Sequence, residues 1–243
     1  QIGQIIELCR GRNIPYYIVG NGSNLLVGDR GYRGVIIQVF KKMNQIRAEG
    51  EKIYAQAGAL LSKVAAAALE ASLTGLEFAS GIPGTLGGAL RMNAGAYGGE
   101  MKHILYTALA LTKDGEFRVV PADRMELGYR SSVFAKNGDI VLSAQLKLQP
   151  GDPEKIRAYM EELKEKRVTK QPLEYPSAGS TFKRPEGYFA GKLIEDTGLR
   201  GFRVGGAQVS EKHCGFVINR ENATAADIVS LMEQVADRVD RKS

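Results

Sequence analysis

Residues 81–99 read Gly-Ile-Pro-Gly-Thr-Leu-Gly-Gly-Ala-Leu-Arg-Met-Asn-Ala-Gly-Ala-Tyr-Gly-Gly, and the role given to these glycines decides the fold. Seven of the nineteen positions are glycine, yet Ile82, Leu86, Ala89, Leu90, Met92 and Ala94 run between them. A flexible linker would be Ser-rich and polar, so this stretch reads as packed. Glycine lets backbone approach a partner closely and adopt positive φ, and two readings follow. Either bare N–H groups face a ligand, a phosphate above all, or a Gly-rich core loop presses against a helix. The stretch is not a Walker loop, since no Lys-Ser/Thr follows its glycines, nor a Gly-x-Gly-x-x-Gly dinucleotide turn.

A second cluster lies far upstream, in Val19-Gly-Asn-Gly-Ser-Asn-Leu-Leu-Val27, directly after the strand-like run Tyr16-Tyr-Ile-Val19. A strand followed by Gly20, Asn21, Gly22, Ser23 and Asn24 has the composition of an anion-cradling turn. Asn-Gly is equally a hairpin turn.

Around these clusters the composition is ordinary. A chain of 243 residues, 44% hydrophobic and 25% charged, reads as soluble and globular, with one large or two modest domains. No apolar run approaches the ~20 residues that span a bilayer. The net charge of +6 favours an anionic partner, and its interspersed signs suit a diphosphate better than nucleic acid. Cys9 and Cys214 are too few for a disulfide framework and lack metal spacing, so no metal site is expected. The chain opens without Met inside a helix-like segment, which reads as a fragment rather than a signal peptide.

In order, the spacing predicts a helix over 2–12 with Ile2, Ile5, Ile6 and Cys9 on one face, closed by Asn13-Ile-Pro15. Strands follow at 16–19, 34–40 and 53–57, then an Ala/Leu-rich helix over 60–73. After the Gly-rich stretch come strands at 104–111, 117–120 and 140–148, the first two joined by Lys113-Asp-Gly-Glu116. Asp152 and Pro153 open a charged helix running to about Arg167. Another helix is expected over 189–197. The last covers 223–239, with Thr224 and Asp227 at capping-box spacing and Ile228, Leu231, Met232, Val235 and Val239 as its stripe. This mixture reads as α+β, with a domain boundary after residue 149.

Together, Gly-Asn-Gly-Ser-Asn-Leu-Leu-Val and Gly-Ile-Pro-Gly-Thr-x-Gly-Gly-Ala-x-x-x-Asn-Ala-Gly-Ala-Tyr-Gly resemble the UDP-N-acetylenolpyruvoylglucosamine reductase family, flavoenzymes of the vanillyl-alcohol-oxidase-type (PCMH) FAD-binding superfamily. The matches extend over about residues 16–220. The resemblance implies an FAD-binding domain of two α/β subdomains at 1–149 and a smaller α+β substrate-binding domain at 150–243. It implies FAD as cofactor, held by Gly20, Asn21, Gly22, Ser23, Asn24 and Leu25. From the second cluster it adds Ile82, Pro83, Gly84, Gly87, Gly88, Asn93, Gly95 and Tyr97. NADPH is the implied hydride donor and UDP-N-acetylglucosamine enolpyruvate the substrate, with peptidoglycan precursor synthesis in the cytoplasm as the setting and a monomer as the state. Tyr129-Arg-Ser-Ser matches the family's Tyr-Arg-x-Ser, which makes Arg130 a catalytic arginine and Tyr129 a substrate contact. Ser180 falls where the family has its proton-donating serine, with Lys183 and Arg184 as substrate contacts.

Read without the family, Arg130 is a surface or ion-paired residue, Gly179-Ser180 a turn, and Lys183 and Arg184 are solvated charges. Two motifs of the family are not found: an upstream His-Thr-x-x-x-x-Gly-Gly and a glutamate-bearing tail. Weak FAD binding and little turnover are therefore expected of the chain as it stands. Another flavoenzyme of the superfamily, or a nucleotide-binding module without turnover, are the alternatives.

Overall fold

The computed structural model describes residues 1–242. It falls into two compact units: Gln1–Gly22 with Arg33–Glu165, and Ser23–Tyr32 with the residues from Lys166 onward. The division lies inside the helix Pro153–Lys170, which starts where Asp152 and Pro153 place it. Asp152 Oδ1 accepts the amides of Glu154 (2.9 Å) and Lys155 (3.4 Å), satisfying donors that a helix start leaves orphaned.

The first unit is built on a five-stranded antiparallel sheet, in the order Ile46–Glu49, Lys52–Gln56, Ile140–Lys147, Leu105–Leu111, Phe117–Pro121. Alternation, shifted by a bulge between Val141 and Ser143, decides what each face meets. Ile53, Ala55, Ala108, Ala110, Ala144 and Leu146 lie in the main core, which also takes in Leu61, Val64, Ala65 and Ala68 of the helix Leu61–Glu70. Leu111, Ile140 and Leu142 belong to a second cluster with Ile6 and Ile37. That cluster fixes the helix Ile2–Gly11, whose buried residues are Ile6 and Cys9. Ile5 sits at the edge of the stripe and is 39% exposed. Asn13, at φ +54, ends the helix, with Ile14 N–H reaching back to the carbonyl of Cys9 (2.8 Å) in a Schellman closure.

Tyr16–Val19 and Val35–Gln38 pair in parallel, from Tyr16 opposite Val35 to Val19 opposite Gln38. A parallel pair cannot be joined by a two-residue turn, so Asn21-Gly22 is not the tip of a hairpin.

The Gly-rich stretch is ordered and has secondary structure of its own. Leu86–Arg91 is a short helix, and Gly95–Ala96 pairs with Gly99–Glu100. The turn between them, Tyr97-Gly98, has φ of +52 and +85, the sign pattern of a type I′ hairpin. The stretch is tied to residues 57–61: Leu86 N–H donates to Ala59 O and Gly87 N–H to Ala57 O (both 2.8 Å), and Leu61 N–H donates to Gly84 O (3.0 Å). Gly87 is needed there because a Cβ would lie 2.9 Å from that of Ala57.

The two clusters touch. Asn21 Nδ2 donates to Pro83 O (2.8 Å), and a Cβ on Gly20 would stand 2.2 Å from Thr85 Oγ1. Thr85 is buried, so its side chain has nowhere to retreat.

The second unit packs a three-stranded antiparallel sheet, Arg203–Val204, Ala207–Val209 and Val217–Asn219, on the helix Ala225–Asp240. Leu231 and Val235 of that helix are buried, and Ile228, Met232 and Val239 flank them. The Thr224/Asp227 capping box is present with both of its bonds. Asp29 Oδ1 accepts a further first-turn amide, that of Ala225 (2.8 Å), and so anchors the segment 23–32 to this unit.

Three outcomes follow from these contacts. Gly20→Ala is expected to destabilise the first unit by about 1–3 kcal/mol through overpacking; adding Thr85→Ala should recover most of that loss in urea titrations. Thr224→Ala is expected to cost about 1 kcal/mol and Thr224→Ser much less. The hydrogen bonds from Thr224 hold the Asp227 carboxyl below its ordinary range. Its contribution is therefore present above the ordinary carboxylate range and is lost as pH falls through the depressed value. Asp227→Asn should flatten that part of the stability–pH curve.

Candidate active site

In the first unit, the structure brings together most of what the sequence singled out. Gly20, Asn21 and Gly22 stand against Pro83 and Thr85. Gly22 has φ +73 and open space where a Cβ would be. Pro83 and Gly88 are exposed, Ile82 and Gly84 half-buried, and Tyr97 is 41% exposed at its hairpin tip. Where Gly20 and Asn21 meet Pro83 and Thr85, the surface is a shelf of backbone with few side chains, which suits a phosphate-bearing ligand.

Not every glycine presents a free amide. The N–H of Gly87 is taken by Ala57 O, and its missing side chain serves packing. Gly95 and Gly99 likewise make room within the fold: a Cβ on Gly95 would lie 2.7 Å from Glu100 Cγ, and one on Gly99 2.5 Å from the Phe78 ring. Both readings of the stretch therefore hold, at different residues.

Asn93 is 2% exposed, at φ +40. Its Nδ2 donates to Glu100 Oε2 (2.9 Å) and to Gly128 O (3.0 Å), and its Oδ1 accepts Lys102 N–H (3.0 Å). The amide is turned into the protein, not onto the shelf. Burial alone would raise the Glu100 carboxyl, but hydrogen bonds from Lys102 and Asn93, with the charges of Lys102 and His103, hold it below the ordinary range.

Arg130 stands on a small ring beside this point. Gly128 N–H donates to Ser131 O (3.1 Å) and Ser131 N–H to Gly128 O (3.2 Å), leaving Tyr129-Arg130 at the tip. Arg130 has φ +52, an uncommon conformation for a residue with a side chain, and its guanidinium carbon lies 5.6 Å from the Tyr129 ring centroid. Ser132, fully buried, donates from Oγ to Arg91 O (2.8 Å) and caps the helix Val133–Asn137 through Ala135 N–H (3.3 Å). Arg91 Nη1 returns a bond to Phe134 O (2.7 Å). The Tyr-Arg-x-Ser segment is thus bolted to the Gly-rich stretch on both sides of Arg130.

Ser23, Asn24 and Leu25 belong to the second unit, as does Ser180. Ser180 is exposed and forms an isolated bridge with Phe216, while Thr181 N–H donates to Gly215 O (2.8 Å). Gly215 N–H donates to His213 Nδ1 (3.1 Å), so the imidazole sets the turn 213–216. A Cβ on Gly215 would lie 2.9 Å from the His213 ring and 3.4 Å from Ser180 Oγ. Lys183 is exposed. Arg184 lies over the Phe189 ring at 3.9 Å and donates from Nε to Tyr188 O (3.2 Å), which shapes the loop that follows it.

Sequence reading missed the clasp made by Asn93, Glu100, Ser132 and Arg91. The Asn-Ala-Gly-Ala-Tyr-Gly motif held a signal for it, since asparagine is enriched at positive φ among residues with side chains. Nothing local announced that its partner would be Gly128, thirty-five residues on.

Comparison with known proteins gives the family. A family described as "FAD binding domain" matches residues 1–120, the part holding both Gly-rich clusters. A second, "UDP-N-acetylenolpyruvoylglucosamine reductase, C-terminal domain", matches 171–243. The UDP-N-acetylenolpyruvoylglucosamine reductase of Clostridium tetani is 57% identical over 100% of this chain and 78% of its own length. That of Agathobacter rectalis is 55% identical over 98% of this chain and 80% of its own. The crystal structure of the enzyme (MurB) from Thermus caldophilus superposes with a TM-score of 0.83 at 38% identity, covering 95% of this chain and 84% of that one. With this identity spread over nearly its whole length, the chain belongs to the UDP-N-acetylenolpyruvoylglucosamine reductase family.

Proposed function

We propose that this chain reduces UDP-N-acetylglucosamine enolpyruvate to UDP-N-acetylmuramate, using FAD and taking hydride from NADPH, as a cytoplasmic enzyme of peptidoglycan precursor synthesis. One observation carries this reading furthest: the backbone shelf of Gly20–Gly22 and Pro83–Gly88 and the rigidly mounted Arg130 are fastened to the same Gly-rich stretch. Hydride chemistry lies beyond protein side chains, and FAD supplies it when bound. The residues present fit such a group. Gly20, Asn21, Gly22, Gly84, Gly88 and Tyr97 would hold it; Gly22, at φ +73, has open space on the side where a Cβ would stand. Ser23, Asn24 and Leu25 complete the binding set in this reading. Gly87 and Gly95 contribute by shaping the stretch.

The chain's own side chains then deal with charge and proton. When the enolpyruvyl double bond is reduced at its terminal carbon, negative charge develops on the neighbouring carbon and spreads into the carboxylate. A fixed guanidinium at Arg130 acts on that charge more strongly in the transition state than in the ground state, which is what lowers a barrier. Fixing the backbone beneath Arg130 narrows the space its guanidinium samples, which lessens the reorganisation that an arginine on a free loop would undergo. Ser180 supplies the proton to carbon. A hydroxyl is a weak acid in water, and it can serve here because the carbon it protonates is strongly basic. Tyr129, Lys183 and Arg184 are the proposed substrate contacts.

Stopped-flow spectroscopy separates the two half-reactions. Ser180→Ala should leave flavin reduction by NADPH within about twofold of the parent. Reoxidation by UDP-N-acetylglucosamine enolpyruvate should slow by about 10²–10⁴-fold, the scale of a lost general acid. Arg130→Met should slow the same step by about 10²–10³-fold. Equal loss in both half-reactions would remove these roles.

A further inference from the structure

We propose that Asn93 is a positioning residue for Arg130: its buried side-chain amide ties the carbonyl of Gly128 to the Gly-rich stretch and so sets the direction in which the arginine points. The proposal rests on the reading of Arg130 given above. Four observations carry it.

The Asn93 amide has two N–H bonds, and both are taken, one by Glu100 Oε2 at 2.9 Å and one by Gly128 O at 3.0 Å. Its oxygen holds Lys102 N–H at 3.0 Å. The side chain is therefore fixed in orientation, because a flipped amide would oppose oxygen to both acceptors and lose every bond. Glu100 is itself fixed by Lys102 Nζ at 3.1 Å, so one end of the clasp is anchored by an ion pair.

Gly128 is the base of the ring that carries Arg130. Two backbone bonds between Gly128 and Ser131 close that ring, and Arg130 sits within it at φ +52. Such a conformation persists only where the surroundings over-determine it. The surroundings here are the Asn93 bond at Gly128 and the Ser132–Arg91 bond on the far side. The left-handed residues Asn93 (φ +40) and Arg130 (φ +52) are thus joined through Gly128.

Asn93 does not reach the shelf, so its role is exerted through Arg130 rather than on the cofactor. The full chain tests this. Asn93→Gly deletes the amide while tolerating the left-handed backbone. Asn93→Asp keeps the acceptor for Lys102 N–H but loses both donors, and it serves if the glycine variant does not fold. Limited trypsin digestion of the protein without cofactor reads the loop directly. Cleavage after Arg130 should accelerate at least about tenfold over the parent, with cleavage after Lys63 and Arg118 unchanged, as expected when one constraint on a loop is released.

In the FAD-loaded protein, reduction by NADPH should stay within about twofold, and reoxidation by UDP-N-acetylglucosamine enolpyruvate should fall by about 10–100-fold, the scale of a misplaced catalytic group. Combined with Arg130→Met, Asn93→Gly should add nothing further. Uniform acceleration of all tryptic cuts, or additive losses in the double variant, would overturn the proposal by making Asn93 merely structural. If the unaltered protein, loaded with FAD, showed neither flavin reduction by NADPH nor reoxidation by this substrate even in a single turnover, the functional reading would fall. The tryptic comparison would still decide whether Asn93 holds the arginine loop.

Discussion

The first unit depends on a contact with no room in it: Gly20 faces the buried hydroxyl of Thr85 where any side chain would collide. That contact and the bond from Asn21 to Pro83 join two segments sixty residues apart in the chain. Everything proposed for the cofactor shelf requires them to stay joined, because neither segment forms a surface alone. Gly20–Gly22 is the loose end of a parallel strand pair, and Gly81–Gly88 is a turn leading into one short helix. Close-packed interiors respond to a single methyl group, so this joint fixes the distance between the segments to a fraction of an ångström.

The same stretch carries a second joint at its other end, and the two differ in kind. At Thr85 the constraint is steric and needs nothing but volume. At Asn93 it is polar and directional, with donors and acceptors all matched, in a buried place where an unmatched amide would be costly. The Gly-rich stretch is therefore the part that relates the shelf to Arg130. A glycine-rich sequence is a reasonable choice for such a part: its backbone can be approached from several sides at once, by residues 57–61, by Gly20 and by Phe78.

How far the sequence could be read follows from which forces set each feature. Periodicity and caps are local, and they placed the helices well. Asp152–Pro153 starts one helix and Thr224–Asp227 caps another, both as expected. The α+β class and the core stripes followed from alternation and spacing. The Asn21-Gly22 pair could not be decided locally, because only the parallel partner Val35–Gln38 excludes a hairpin. The glycines were ambiguous for a like reason. Gly87 and Gly88 are adjacent and chemically identical, yet one is pressed against Ala57 and the other faces outward; the difference lies wholly in what the fold sets beside them. The segment Ser23–Tyr32 clusters with the second unit through Asp29 and Ala225, a pairing across almost two hundred residues that composition could not announce.

Arg130 shows why a residue's type and its environment must be read together. An exposed arginine in a loop is ordinarily a solvated charge whose many rotamers make it a poor catalyst, since ordering it at the moment of reaction would cost entropy. Here the side chain remains exposed while the backbone beneath it is fixed by bonds from both sides. The role proposed for Arg130 needs that combination: access for the substrate above, and dipoles and charges already oriented below. The left-handed backbone at Arg130 belongs to the same logic. It costs on the order of 1–3 kcal/mol, and a fold under no other demand would relieve it by placing glycine at that position. An arginine kept there, over a buried serine and a fully bonded asparagine, makes sense when the guanidinium is required at that place and nowhere else.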